Sequence, residues 1–285
     1  MRAVEDVASE LGLRVVGPLT GGERGATAVV ASDGTESVLK TYPLDEYDRL
    51  VEALHVASVV RGRGVPVPDP STVGTTSTRA YSLQRRCDGE LPIPFTDDHA
   101  RQLLEYWDAF ADAIPSGSDY PERVVRALQH GDRDLYTAHE PLREAGKETT
   151  DILERIIAIG FDADASLLRR TDAMHGDFHH RNLLVDGAAV TAIIDWESAR
   201  AGDARYDLVL LDYWTDVYEG SGVDPQAAAR VRAHTDANVE PRARRLLAAL
   251  VALHQLWFVT ALRRERVPET LQNVERHLVP HWILR

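Results

Sequence analysis

Residues 174–212 read MHGDFHHRNLLVDGAAVTAIIDWESARAGDARYDLVLLD, and the middle of that stretch can fold in few ways. Asp186-Gly187 is a two-residue hairpin signal between two apolar runs, Leu183-Leu184-Val185 and residues 190–194. A hairpin returns the chain to where it began. The second strand should therefore carry Asp195 past the level of Asn182, at the end where Asp177 projects from the turn His175-Gly176-Asp177. Singly, each residue has an ordinary structural reading: His175 and Asp177 as turn caps, Asn182 and Asp195 as strand-end groups. Together they place three oxygen-bearing side chains at one point. Phosphoryl transfer needs that set, with one carboxylate to orient and deprotonate a hydroxyl and oxygen donors for a hard cation such as Mg2+.

The rest of the chain supplies a frame. Residues 14–16, 26–31 and 37–40 read as strands, with Asp33-Gly34 as a hairpin turn. Tyr47, Leu50, Val51, Leu54, Ala57 and Ser58 keep helical spacing, which predicts an amphipathic helix over 44–61. Gly62, Gly64 and Val65-Pro66-Val67-Pro68 end it. Two more strands follow near 71–73 and 81–84. After the Asp88-Gly89 turn, helical stripes take over, one at Leu103, Leu104, Trp107, Phe110 and Ala111, another at Ile152, Leu153, Ile156 and Ile157, and a last one over 241–262. The order predicts an α+β chain, with a small antiparallel-sheet lobe carrying one helix (1–87) and a larger, mainly helical lobe (88–285). Residues 115–147 lack a clear period and read as loops.

Bulk properties exclude several functions. A net charge of -13 argues against nucleic acid as a partner, because a duplex binder needs a basic face. An acidic surface speaks first to solubility, though it also suits a cationic substrate. One cysteine, Cys87, rules out an intramolecular disulfide and a C-x-x-C metal site. The first residues lack the apolar core of a signal peptide. Residues 246–262 are apolar between Arg244-Arg245 and Arg263-Arg264, close to the lower limit of about 17–25 residues for a membrane span. His254, Gln255 and Thr260 would be costly in lipid, so a buried helix in a cytoplasmic protein is the better expectation. Monomer and homodimer both fit.

The central segment resembles the aminoglycoside-phosphotransferase and choline-kinase-like family, whose pattern is H-G-D-x-x-x-x-N followed by I-D-W-E. Here these are His175, Gly176, Asp177 and Asn182, then Ile194, Asp195, Trp196 and Glu197. The family's G-D-P-x-x-D-L is matched by residues 202–208, with Ala204 in place of proline. The resemblance implies a two-lobed protein-kinase-like fold, with nucleotide on the first lobe and catalytic and substrate-binding residues on the second. It makes Asp177 the catalytic base and Asn182 and Asp195 ligands of Mg2+. Asp207, with His175, would support the catalytic loop. Such a fold also needs a lysine on its third strand to hold nucleotide phosphates, paired with a helix glutamate. The chain has two lysines, and Lys40 ends the predicted third strand. Glu52 is the matching glutamate by its distance from the Val65-Pro66-Val67-Pro68 stretch, although a surface pair of little energetic value reads the same. Gly21 and Gly22 lie where a phosphate-covering loop belongs, but they suit a plain hairpin equally. Residues 81–89 resemble the inter-lobe linker, whose backbone at Arg85, Arg86 and Cys87 would bond the nucleotide base. Gln84 stands where the family often has methionine, and Cys87 reads as a small packed residue. ATP is the expected donor, with GTP an alternative.

By the same resemblance, Asp212, Asp216, Glu219 and Asp236 are candidates to receive substrate ammonium groups, with Tyr213 and Trp214 as walls. Each also reads as an ordinary solvated helix residue. The expected acceptor is a hydroxylated cationic antibiotic, either an aminoglycoside or a basic peptide antibiotic such as a tuberactinomycin. A metabolite kinase for choline, homoserine, methylthioribose or a fructosamine is an alternative. A catalytically inactive binding module is another, against which the joint presence of Lys40, Asp177, Asn182 and Asp195 speaks. The segment from Asp195 to Asp207 is too short for the long activation segment of a protein kinase.

Overall fold

A computed structural model describes residues 2–19, 25–69 and 71–282. Gly21 and Gly22 lie outside the described residues. The chain begins with helix α1 (Arg2–Glu10), strands β1 (Arg14–Pro18), β2 (Thr27–Val30) and β3 (Glu36–Tyr42), helix α2 (Tyr47–Gly62), and strands β4 (Ser71–Thr75) and β5 (Ala80–Arg85). Helices α3 (Asp97–Asp108), α4 (Tyr120–His130), α5 (Glu140–Ala145) and α6 (Lys147–Phe161) come next. Strands β6 (Asp172–Met174), β7 (Leu183–Asp186), β8 (Ala189–Ile193) and β9 (Arg200–Gly202) precede α7 (Arg205–Val217), α8 (Pro225–Asn238), α9 (Pro241–Leu262) and α10 (Val267–His277). The small antiparallel sheet followed by a mostly helical remainder is the fold class that the order of elements predicts.

The described residues form two compact units. One comprises Met1–Pro92 with Arg181–Arg200, the other Ile93–His180 with Ala201–Arg285. The sequence reading placed one boundary near residue 87. The difference is the β7–β8 hairpin, which returns to the first unit.

In that unit the strands run β1-β2-β3-β5-β4, all antiparallel. The Asp33-Gly34 turn joins β2 to β3, with Gly34 at φ 87°, a conformation few other residues adopt cheaply. Helix α2 buries Leu50, Ala53, Val56, Ala57 and Val60, one stripe at helical spacing. Reading the first forty residues as strands missed α1. Val4, Val7, Ala8 and Leu11 do repeat at helical spacing, and Val7 and Ala8 are buried with Val29 and Leu39. Nine residues give that period too little length to stand out.

The hairpin pairs Asp186 with Ala189, so Gly187 and Ala188 make the loop rather than Asp186 and Gly187, and a bulge between Leu184 and Val185 sets Leu183 opposite Ile193. Main-chain bonds and a side chain tie it to its unit. Glu90 and Val185 exchange N–H to O bonds of 2.9 Å each way, and Ile193 donates to the Pro66 carbonyl at 2.8 Å. Thr191 Oγ1 donates to the Asp88 carbonyl at 3.0 Å. Gly89 is required here, since a Cβ on it would stand 2.8 Å from Thr191 Oγ1 and 3.0 Å from the Val185 carbonyl. Thus the Val-Pro-Val-Pro stretch and the linker after β5 both hold the hairpin.

The second unit is mostly helical. Helices α4 and α5 occupy much of the stretch expected to be loop, and α4 buries Tyr120, Val124, Ala127 and Leu128 at i, i+4, i+7 and i+8. The eleven residues of α4 are too few to outweigh the Gly and Pro around them in a sequence reading. Helix α9 is long and apolar enough to cross a membrane by length and composition, yet Leu247, Leu250, Leu253 and Leu256 are each 0% exposed within the unit. It is the core helix of that unit.

Candidate active site

Alternate residues of a strand share a face, so β3 presents Lys40 and Tyr42 on one side. Both reach the turn that follows β8. Lys40 Nζ is ion-paired with Asp195 and lies 2.8 Å from Glu197 Oε1. Tyr42 donates its hydroxyl to the same Glu197 oxygen at 3.0 Å. Burial disfavours the lysine charge, but Glu197 and Asp195 outweigh it and hold the ammonium above its ordinary range. Burial pushes Glu197 up to about 7, Asp195 adds to the rise, and Lys40 opposes it. One cation thus serves two acids. Asp195 has φ 73° and ψ 46°, a left-handed conformation that costs about 1 kcal/mol outside glycine and that aspartate tolerates better than most. The turn is secured behind it by Trp196, which is buried and donates Nε1 to the Ile193 carbonyl at 2.7 Å.

Glu52 does not take part in this centre. It sits exposed on α2, off the buried stripe, and among the described residues no ion pair joins it to Lys40. Helix α2 contributes Arg49 instead, whose Nη1 donates to the Glu197 carbonyl at 2.7 Å while Nη2 pairs with Glu46.

Asn182 lies across the end of the hairpin, as expected. Its carbonyl accepts from Ile194 N at 2.9 Å, one residue before Asp195, and the residue is 8% exposed. Among the described residues no group of three or more His, Cys, Asp or Glu could hold a metal on its own. Magnesium seldom needs one, because it takes one or two protein oxygens and fills the remaining positions with substrate phosphates and water. Asn182 and Asp195 fit that donor set. In the linker, Arg86 N is spent on the Glu36 carbonyl at 3.2 Å, so one of the three backbone groups expected to meet a base is engaged within the sheet. The Arg85 and Arg86 side chains are exposed, and Cys87 is half-buried with its thiol pushed up by that burial.

In the second unit, Asp177 sits on a loop braced by buried groups. Asp207, in the first turn of α7, is 0% exposed and accepts from His175 N at 2.7 Å and Gly176 N at 2.9 Å. Burial pushes Asp207 up to about 7, with the two amide bonds working against the rise. His175 is fully buried and accepts from Asp177 N through Nδ1 at 3.2 Å, which leaves the proton of a neutral ring on Nε2. Asp177 itself keeps 45% of its side chain exposed. His179, which the sequence reading did not single out, places Nε2 3.3 Å from Asp177 Oδ1. Its only sequence signal was a histidine two residues after the aspartate. The His179 ring packs 5.0 Å from Trp214, which stacks on Tyr218 at 5.5 Å with planes 5° apart.

Ala204 has a positive use. Its N–H, which proline lacks, donates to Asp172 Oδ2 at 3.2 Å, and Asp172 is 1% exposed. The neighbouring Asp203 and Arg205 form a buried pair at 2.7 Å.

The acids expected to receive ammonium groups already have partners. Asp212 Oδ2 lies 2.6 Å from Arg244 Nη2, both buried, and burial pushes Asp212 up to about 6 against the pull of Arg244. Asp236 pairs with the same arginine. Asp216 pairs with Arg232 and lies 3.3 Å from His277 Nδ1, and Glu219 is 3.7 Å from Arg232. Tyr213 is 5% exposed, too buried to be a wall, whereas Trp214 is half-buried. The sequence could not show this, because the arginines come from α8 and α9 and lie between 8 and 32 residues along the chain from the acids they pair.

The model of the phosphotransferase enzyme family matches residues 15–230. A hygromycin-B 4-O-kinase of Escherichia coli is 39% identical over 41 residues, a match covering 14% of this chain and 12% of that relative. Among solved structures, a thermostable mutant of the aminoglycoside phosphotransferase APH(4)-Ia in its apo form gives a TM-score of 0.68 at 18% identity, over 97% of this chain and 98% of that one. A ternary complex of a variant of the same enzyme with ADP and hygromycin B gives 0.61 at 17% identity, over 96% and 99%. The macrolide 2'-phosphotransferase MphH from Brachybacterium faecium gives 0.56 at 20% identity, over 95% and 98%. At these identities the solved structures show that the fold is shared.

Proposed function

The chain belongs to the phosphotransferase enzyme family, and from that premise we propose that it is an ATP-dependent kinase acting on a hydroxyl group of a small-molecule antibiotic. The observation that carries this reading is the Lys40 centre. A lysine held charged beside Asp195, one residue past the Asn182–Ile194 contact, is the arrangement that phosphoryl transfer uses.

Lys40 holds the phosphates of the nucleotide, with ATP the first choice of donor and GTP the second. Asn182 and Asp195 would hold Mg2+, which when bound neutralises charge building on the phosphoryl oxygens. Asp177 orients the acceptor hydroxyl and takes its proton as that oxygen bonds to the terminal phosphorus and the bond to the departing nucleotide breaks. Asp207 holds the amides of His175 and Gly176, so the loop carrying the base keeps its geometry. His179 limits how the Asp177 carboxylate turns. The relatives' complexes with ADP and hygromycin B support a nucleotide donor and an antibiotic acceptor. The enzyme works in the cytoplasm, where the nucleotide is.

A second reading has an observation of its own. Arg232 and Arg244 already engage all four acids expected to bind ammonium groups, which favours a neutral or weakly basic acceptor over a polycation. Nucleotide turnover, coupled to a spectroscopic signal, tests both. The panel is aminoglycosides, basic peptide antibiotics, macrolides and neutral or cationic metabolites, with Asp177→Ala alongside. Stimulation by one antibiotic class, abolished in the variant, is the expected result. Stimulation by choline, homoserine or a sugar alone would move the protein to metabolite kinases. Nucleotide binding without stimulated turnover would favour a binding module.

A further inference from the structure

We propose that Glu197, not an acid of α2, is the residue that positions Lys40 for phosphate, and that Arg49 anchors it from the helix. The inference rests on the kinase reading, in which Lys40 meets the nucleotide. An ammonium on a four-carbon stem samples many rotamers, so it is useful only if a fixed acceptor holds it and remains when the nucleotide arrives.

Two acids touch Lys40, and they differ in how firmly they are held. Asp195 is 33% exposed, stands in a left-handed turn and sits at the hairpin end beside the Asn182 strand. It can turn towards a divalent cation brought in with the nucleotide. Glu197 is 12% exposed and tethered from three elements. Strand β3 supplies two donors to its Oε1, Lys40 at 2.8 Å and Tyr42 at 3.0 Å. Helix α2 supplies Arg49 to its main-chain oxygen at 2.7 Å. Strand β8 holds the turn through the Trp196 bond to Ile193 at 2.7 Å. A lysine has three donors, so with one on Glu197 and one on Asp195 the third can point at a phosphate oxygen before any metal arrives. Among the described residues no such tether holds the exposed Glu52.

The test is ADP affinity by titration calorimetry, first in EDTA and then with Mg2+, for the whole chain and its Lys40→Met, Glu197→Gln, Glu52→Gln, Tyr42→Phe and Arg49→Met variants. In EDTA, Glu197→Gln should weaken ADP binding by about tenfold to a hundredfold, the worth of one charge-assisted hydrogen bond. Lys40→Met should match it, Arg49→Met and Tyr42→Phe should follow by smaller factors, and Glu52→Gln should bind as the wild type does. With turnover in hand, the Lys40, Glu197, Arg49 and Tyr42 variants should raise KM for ATP more than they lower kcat, and Glu52→Gln should change neither. Thermal melts report folding, and if Glu197→Gln does not fold, Arg49→Met and Tyr42→Phe carry the test. Wild-type affinity in Glu197→Gln while Lys40→Met is weakened overturns the proposal. So does a Glu197→Gln effect that appears only with Mg2+, which would make Glu197 a metal ligand, or a Glu52→Gln loss as large as that of Lys40→Met. A wild-type chain that binds no ADP in either buffer removes the kinase reading itself.

Discussion

Lys40 in the first unit and Arg244 in the second are both buried and both shared between two carboxylates. Around Lys40, the acids are Asp195 and Glu197, two residues apart on one turn, and the more exposed of them has a left-handed backbone. Around Arg244, which belongs to α9, the acids come from two regular helices, Asp212 of α7 and Asp236 of α8. The charge arithmetic is the same in the two places, and the chemistry differs. A guanidinium is a rigid fork that clamps two acids in fixed geometry, so Arg244 joins three helices. An ammonium is a point charge that can exchange one partner for another. Local strain and an exchangeable partner mark a site that works, whereas a fork between unstrained helices marks one that holds.

The comparison breaks most clearly under substitution of the two cations. Lys40→Met should lower kcat/KM for ATP by about a hundredfold to a thousandfold, as losing a positioned charge does. Its stability loss should be smaller than that of Arg244→Met, because Asp195 is 33% exposed and Glu197 can take up a proton near pH 7. Arg244→Met should show the opposite pattern. It strands the buried Asp212 and should cost about 3 kcal/mol or more of stability in denaturant unfolding, while activity per folded molecule persists. Its deficit should be smaller at pH 5 than at pH 8. Burial holds Asp212 at about 6 against the pull of Arg244, so without the arginine the carboxyl rises further and is neutral at pH 5, where little buried charge is stranded. Equal stability losses in the two variants would erase the distinction.

Asp207 extends the comparison to an acid with no cation. Burial raises it from 3.8 to about 7, so between those values the native state holds a proton that the unfolded chain has released. The stability it contributes is full below 3.8 and lost as pH rises through about 7. Asp207→Asn keeps one acceptor for two amides and should cost about 1–3 kcal/mol near pH 5, with a smaller deficit above pH 7. A deficit that grows with pH would contradict this.

Smaller effects sharpen the picture at the edges. Ala204 has φ -62°, which proline accepts, so Ala204→Pro tests the bond to Asp172 rather than the backbone shape. The gain from a stiffer unfolded chain is about 0.4–1 kcal/mol, and the lost donor to a buried carboxylate costs more. A small net drop in melting temperature is expected, and a rise would show that the bond contributes little. Asp236→Asn should change stability least, because that carboxylate is 59% exposed and its pair with Arg244 is screened.

Much of the first unit was legible because its signals are local. The Asp33-Gly34 and Asp186-Gly187 signals marked their hairpins, although a bulge between Leu184 and Val185, which no turn residue announces, is what puts Asn182 next to Ile194. Lys40 was legible because its strand was. What escaped was the choice of partners. Glu52 lies off the buried stripe of α2, and no local pattern distinguishes a glutamate beside a lysine from one a turn away. Short helices such as α1 and α4 escaped because a few residues carry too little periodicity.

The sequence by itself determined the order of the five strands and of α2 in the first unit, the hairpin with its oxygen-bearing ends, and the loop on which Asp177 stands, since turn chemistry and hydrophobic period act over a few neighbouring residues. Only the tertiary structure decided that Lys40 goes to Glu197 and Asp195, that Arg49 secures their turn, and that the acids of α7 and α8 are neutralised by arginines. Those choices depend on which side chains packing brings within about 3 Å of each other, and a charge on a helix chooses among all the partners the fold presents to it.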